Sequence, residues 1–190
     1  SKNPILKTKS LQSLVQNITQ LEISDIALIQ PAIDQMVNAD LPLKVPSAYH
    51  LKAAKYYSSM GQLSEFSNEL EYITAADAEY TQAVLLKSLF NYRQGQVDES
   101  LSQLEILVPL VLQNKNDQLR NLALLTQARI YFQKADYSKA FQSYQAIDKS
   151  SEQWLQSRIE QSWAQILAND YAGAAGNMFT LHTEFFKKAY

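Results

Sequence analysis

The chain contains no cysteine, which excludes disulfide scaffolds, thiolate metal sites and cysteine nucleophiles. Only four glycines and five prolines occur in 190 residues, too few for a turn-rich β fold. An excess of one charge is also missing: 17 basic and 19 acidic side chains leave a net charge of −2. A general nucleic-acid binder needs a marked basic excess to meet phosphates, so nucleic acid is not an expected partner. No apolar run approaches the roughly 20 residues of a membrane-spanning helix. The best candidate, Ile106–Leu112, is short and interrupted by Pro109. Direct membrane insertion is therefore not expected. Ser1-Lys2-Asn3-Pro4 leads into polar-interrupted sequence, unlike the apolar core of a signal peptide. Absence of cysteine is also compatible with an oxidising periplasm.

What is present is amphipathic helix. With 46% hydrophobic residues the chain is too apolar for disorder, and its length suits one domain or part of a longer array. Leu11, Leu14, Val15, Ile18 and Leu21 form a stripe at steps of three and four, as do Leu119, Leu122, Leu125, Ala128 and Phe132. Short polar joints interrupt the stripes at Gly61, Gly95, Ala135 and Asn169. The pattern predicts an all-α fold of about ten helices, stacked as antiparallel pairs.

The four joints disclose a repeat, with successive spacings of 34, 40 and 34 residues. Seven residues before each stands a small side chain: Ala54, Ser88, Ala128 and Ser162. Five residues after come Phe66, Ser100, Ala140 and Ala174. Nine after are Leu70, Leu104, Tyr144 and Met178, and twelve after are Ile73, Leu107, Ile147 and Leu181. Small residues are expected where two helices cross closely. The large ones fill the wedge between helices, since one pair cannot bury its apolar face alone. Gly61, Gly95 and Asn169 suit the positive φ that ends a helix. Asp136 and Asp170 fall where a carboxylate favours the start of the next helix. The extra residues of the 40-residue interval are expected to lengthen the helices around Asn114-Lys115-Asn116-Asp117.

These columns resemble the tetratricopeptide repeat (TPR) family, whose unit is a 34-residue helix–turn–helix. The best-matching stretch, LLTQARIYFQKADYSKAFQSYQAI, places Ala128, Tyr131, Tyr137, Ala140 and Tyr144 on family positions. Asn91 and Gln165 stand where the family usually has tyrosine, and Phe66 where a small residue is usual. The resemblance implies a right-handed α-solenoid with units at about 47–80, 81–115, 119–152 and 153–190, one continuous array. A degenerate helix pair is expected over 1–40, joined through the linker Leu41–Pro46, with Pro46 in a first helical turn. The last unit also resembles repeats of envelope-associated proteins from predatory and gliding bacteria. That likeness favours a bacterial periplasm or cell envelope over cytoplasm.

No phosphate loop, dinucleotide fingerprint, HExxH or GxSxG motif is present. His50 and His182 lie far apart with no ligand-spaced neighbour, so each reads as a surface or core histidine. Glu65 and Glu69 share a solvated helix face, and Asp98-Glu99 complements a helix start. Gly173 and Gly176 among alanines read as a close helix contact. Tyr56, Tyr72, Tyr80 and Tyr92 lie off the repeat-core columns. No catalytic residue, cofactor or metal is expected.

By the same resemblance, the first helix of each unit lines a concave groove. The positions that map there are Leu51, Lys55, Ser58 and Ser59; Leu85, Leu89, Tyr92 and Arg93; Leu125, Arg129, Phe132 and Gln133; and Gln156, Ile159, Trp163, Ile166 and Leu167. The expected partner-binding set is Lys55, Tyr92, Arg93, Arg129, Phe132, Gln133 and Trp163. Cations beside aromatics suit a peptide bearing acidic and apolar groups. The function expected is a non-catalytic scaffold for a protein or peptide. The rivals are a regulatory or substrate-positioning domain of a larger enzyme, and a self-assembling envelope component. Phe185, Phe186 and Tyr190, with no polar closing helix, suggest a piece of a longer array, with self-association through that end as the alternative.

Overall fold

A computed structural model describes residues 13, 26–28, 30–31, 45–113 and 117–188, with side chains as far as 181. Residues 13, 26–28 and 30–31 are helical, and eight further helices follow: α1 (Ser47–Ser59), α2 (Leu63–Glu71), α3 (Tyr80–Arg93), α4 (Val97–Gln113), α5 (Asp117–Gln133), α6 (Tyr137–Gln145), α7 (Trp154–Leu167) and α8 (Tyr171–Lys188). No strand occurs among the described residues. Most of the expected pair over 1–40 and most of the Leu41–Pro46 linker lie outside the described residues. So do Asn114–Asn116 and the side chains of His182, Phe185, Phe186 and Tyr190.

The chain divides into two compact units, residues 1–83 and 84–190. In the first, α1 packs on α2, and buried Ile26, Tyr49 and Ala53 form a small core with Val45, Tyr56 and Tyr57 around it. Pro46 is the cap residue, one position before the first turn, and its φ of −66° suits a helix entry. His50 Nδ1 lies 2.7 Å from Glu69 Oε2, and its ring stacks on Tyr72 with centroids 4.6 Å apart. The histidine thus ties α1 to α2 through a carboxylate that its sequence neighbourhood does not suggest. Ser47 Oγ donates to Glu79 Oε2 at 2.7 Å, fixing the loop that leads into α3.

In the second unit, α4 packs on α5, α5 on α6, α6 on α7 and α7 on α8. The expected lengthening falls on α4 and α5, each 17 residues against 9 for α6. One core, with Leu85, Leu104, Leu107, Val111, Leu119, Ala123 and Ile130, joins the end of α3 to α4 and α5. Another gathers Leu124, Leu125, Ala128, Tyr131, Ala140, Tyr144, Ile147 and Ala164 from α5, α6, α7 and the α6–α7 loop.

The repeat columns have physical counterparts. Ala54, Ser88, Ala128 and Ser162 are all fully buried. Ser88 and Ser100 bring their hydroxyls to 3.0 Å, so the two small columns meet across a helix pair. Met178 departs from its column: Leu70, Leu104 and Tyr144 are buried, whereas Met178 is 42% exposed. In the preceding unit α7 covers this position, and no described helix does so for α8.

All four joints share one closure. Gly61, Gly95, Ala135 and Asn169 have φ of 71°, 79°, 58° and 64°. In each, the amide of the next residue reaches back five positions: Gln62 to Tyr57, Gln96 to Asn91, Asp136 to Tyr131 and Asp170 to Gln165, at 2.8–2.9 Å. This is the Schellman pattern, which satisfies carbonyls left over at a helix end. Ala135 alone meets it with a Cβ and no polar side chain. Left-handed backbone costs an L-residue about 1–2 kcal/mol, against roughly 0.5–1 kcal/mol of extra chain entropy for glycine. Ala135→Gly should therefore stabilise the protein by about 0.5–1 kcal/mol, seen as a higher urea midpoint with unchanged slope.

The expected carboxylates do cap. Asp136 accepts from the Lys139 amide at 3.2 Å and Asp170 from the Gly173 amide at 2.9 Å. The Gly173 bond, and then one from Gln165, hold the Asp170 carboxyl below its usual range. A Cβ on Gly173 would lie 2.1 Å from both Asp170 Oδ2 and Gln165 Nε2, so this glycine makes room for the capping side chains and not for a neighbouring helix backbone. Gly176 faces open space.

Candidate functional site

Among the expected groove residues the structure brings together three, Arg129 and Phe132 of α5 and Trp163 of α7, around a pocket of about 270 Å³. Tyr144 and Glu160 complete its lining. The pocket follows from the repeat: α5 and α7 are equivalent first helices, and α6 beneath them contributes the buried Tyr144. Phe132 packs edge-on against Tyr137, with ring centroids 5.6 Å apart, which orients one wall. Trp163 is 56% exposed, a large apolar surface that the core does not consume.

The charges in the pocket are already matched. Arg129 Nε donates to Glu160 Oε2 at 2.9 Å and its Nη2 to Glu160 Oε1 at 2.7 Å. Tyr144 donates its hydroxyl to Glu160 Oε2 at 3.0 Å. The hydrogen bond to Glu160 raises the Arg129 guanidinium above its usual range. Burial pushes the Glu160 carboxyl up, but the bonds and charge of Arg129 outweigh it and hold the group below the usual 4.5. Burial, then the Glu160 charge, raises the Tyr144 phenol.

A depressed carboxyl contributes stability above its unfolded pKa and loses it as pH falls through the folded value. Arg129 stays charged throughout. Wild type should exceed Glu160→Gln by a constant margin between roughly pH 5 and 8, no more than about 1 kcal/mol for so exposed a pair. That margin should shrink as pH falls below the ordinary carboxylate range. Urea midpoints of the two proteins across this range check both size and sign.

The remaining candidates are placed elsewhere or differently employed. Tyr92 of α3 donates to Gln133 Oε1 of α5 at 2.7 Å, a bridge between first helices. Arg93 is exposed in the last turn of α3, where a cation complements the helix dipole. Lys55 belongs to the first unit, with Nζ 3.5 Å from Gln82 Oε1. Leu51, Leu85 and Leu125 map to the groove by register, but they are buried in the cores. Their helices turn these side chains toward neighbouring helices, where burial takes apolar surface out of water. Glu160 escapes a reading of the sequence because its partner is 31 residues away, just short of one repeat. A search for opposite charges at about that offset on successive first helices would find it.

Among the described residues no three His, Asp or Glu side chains gather as a metal site, and no helix is long and apolar enough to cross a membrane. No protein-family model matches the chain, and no curated protein does. Two solved structures match, both of a Podosopora anserina protein described as a kinesin light chain with nearly identical TPR-like repeats. One aligns over 95% of each chain and the other over 99%, both at 15% identity and a TM-score of 0.65. Identity this low speaks only to architecture, and there it agrees with the helix pairs, the buried small columns and the shared turn closure. The chain has the TPR-like helical-repeat fold.

Proposed function

We propose that this chain is a non-catalytic interaction scaffold that holds a segment of a protein partner at the α5–α7 pocket. The observation that carries the reading is Trp163, an aromatic left open beside Phe132 at the mouth of a preformed pocket. Open tryptophan next to a second aromatic is the composition from which binding hot spots are built. The edge contact with Tyr137 sets the Phe132 ring in advance, which lowers the ordering cost of association. The test is a displayed library of random twelve-residue peptides panned on the protein and on Trp163→Ala and Phe132→Ala variants. Binders that enrich on wild type and lose at least about tenfold in affinity on either variant support the site. Failure of any peptide to enrich, or enrichment indifferent to both substitutions, overturns it. Trp163 is exposed enough that its removal should leave the melting curve in place, which separates lost binding from lost folding.

A second reading rests on the apolar side chains around that site and on the last helix. Leu155, Ile159 and Ile166 on α7, with Met178 and Phe179 on α8, are each at least 36% exposed. Large apolar side chains exposed on two neighbouring helices support self-association. Sedimentation velocity over a wide concentration range would show it as a rising mass, and a strictly monomeric chain would remove this reading.

A further inference from the structure

We infer that the α5–α7 pocket takes an uncharged apolar side chain, of aromatic or leucine size, from the bound segment, and selects against both acidic and basic anchors. This deepens the proposed function and rests on it. Sequence alone suggests the reverse preference, because Arg129 invites a carboxylate. Yet the Nε–Nη2 edge of that guanidinium already donates to both Glu160 oxygens, at 2.9 and 2.7 Å. An incoming carboxylate would have either to displace Glu160 from that pair or to take the remaining N–H groups of a cation that Glu160 already neutralises. It would also bring a second negative charge close to Glu160. An incoming ammonium or guanidinium meets the mirror problem: Glu160 is held by Arg129 and by the Tyr144 hydroxyl. Displacing Arg129 would strand one cation to accommodate another. The pair cancels to no net charge, so neither sign of ligand gains from long-range attraction. What remains for a ligand is apolar wall, from Phe132 and Trp163.

Size narrows the occupant further. A volume of about 270 Å³ is just under the range of sites that enclose whole small molecules, roughly 300–1,000 Å³. It suits one or two side chains rather than a folded element.

Three displayed libraries test this, each of random twelve-residue peptides with a fixed central residue: tryptophan, aspartate or lysine. Wild-type protein should enrich the tryptophan library alone. The affinities should change less than about twofold between roughly 0.05 and 0.5 M salt, since no exposed charge pair is formed. Trp163→Ala should abolish the enrichment. Glu160→Gln leaves Arg129 without its anionic partner, and should shift enrichment toward the aspartate library. Enrichment of the aspartate or lysine library on wild type, lost with Trp163→Ala, would overturn the selectivity while leaving the scaffold reading intact. The selectivity is equally overturned if Glu160→Gln leaves the preference unmoved. No enrichment from any library, or enrichment insensitive to Trp163→Ala, would overturn both.

Discussion

Tyr144→Ala should lower the stability of the second unit by about 3–5 kcal/mol, the usual cost of emptying an aromatic site in a packed core. The ring is 2% exposed and lies among Leu124, Leu125, Ala128, Ala140 and Ile147, so nothing nearby can collapse fully into the space. The same change removes one donor from Glu160, leaving a partly buried carboxylate with Arg129 as its remaining charged partner. A loss of this size is a large share of the about 5–15 kcal/mol that holds a domain together. In urea it should move the midpoint by roughly 1–3 M. Tyr144→Phe keeps the ring and deletes only the hydroxyl, so it should cost about 1 kcal/mol. The difference between the two variants isolates packing from hydrogen bonding. A Tyr144→Ala midpoint near that of wild type would show that the ring does not sit in the core.

Ala128→Leu should be destabilising for the opposite reason. Ala128 is fully buried on α5 against α6, in the cluster that contains Ala140 of the matching column. In the preceding pair the equivalent residues, Ser88 and Ser100, touch through their hydroxyls at 3.0 Å, so the two backbones leave room for little more than a Cβ. The added branched chain forces the helices apart and drags Tyr144 and Ile147 from their sites. Overpacking of this sort costs typically about 1–3 kcal/mol and can exceed it where the backbone must move. Ala128→Ser is the control. Its hydroxyl can bond a carbonyl one turn back, as Ser162 does to Arg158 at 3.0 Å, so the cost should stay within about 1 kcal/mol. Urea midpoints of the two variants give the comparison. Equal midpoints would mean that α5 and α6 are not in close contact at this position.

The residues most legible in the sequence are those whose role is repeated. Ala54, Ser88, Ala128 and Ser162 sit at one offset because the same helix crossing recurs, and all four are buried. Gly61, Gly95 and Asn169 carry the turn geometry in their own conformational preferences, and they bring Ala135 with them by register alone. Met178 shows where register stops being informative: its column is buried only when another helix lies over it. The pocket is half legible. Arg129, Phe132 and Trp163 can be identified from their helix faces, whereas Glu160 and Tyr144 acquire meaning only when helices from different repeats come within bonding distance. Tyr144 falls on a core column, and that placement says nothing of where its hydroxyl points. Tyr72 and Tyr92 lie off the columns and are opaque for a related reason. Their partners, His50 and Gln133, lie on other helices.

The closure shared by the four turns has a bearing on local motion. Amide protons in connecting loops ordinarily trade with solvent within moments, because nothing holds them. Here the loop amides of Gln62, Gln96, Asp136 and Asp170 are bonded inward to the last helical turn before them. Each hairpin bend is thus shielded to the rank of the helix it follows, and it will give way with that helix instead of fraying ahead of it.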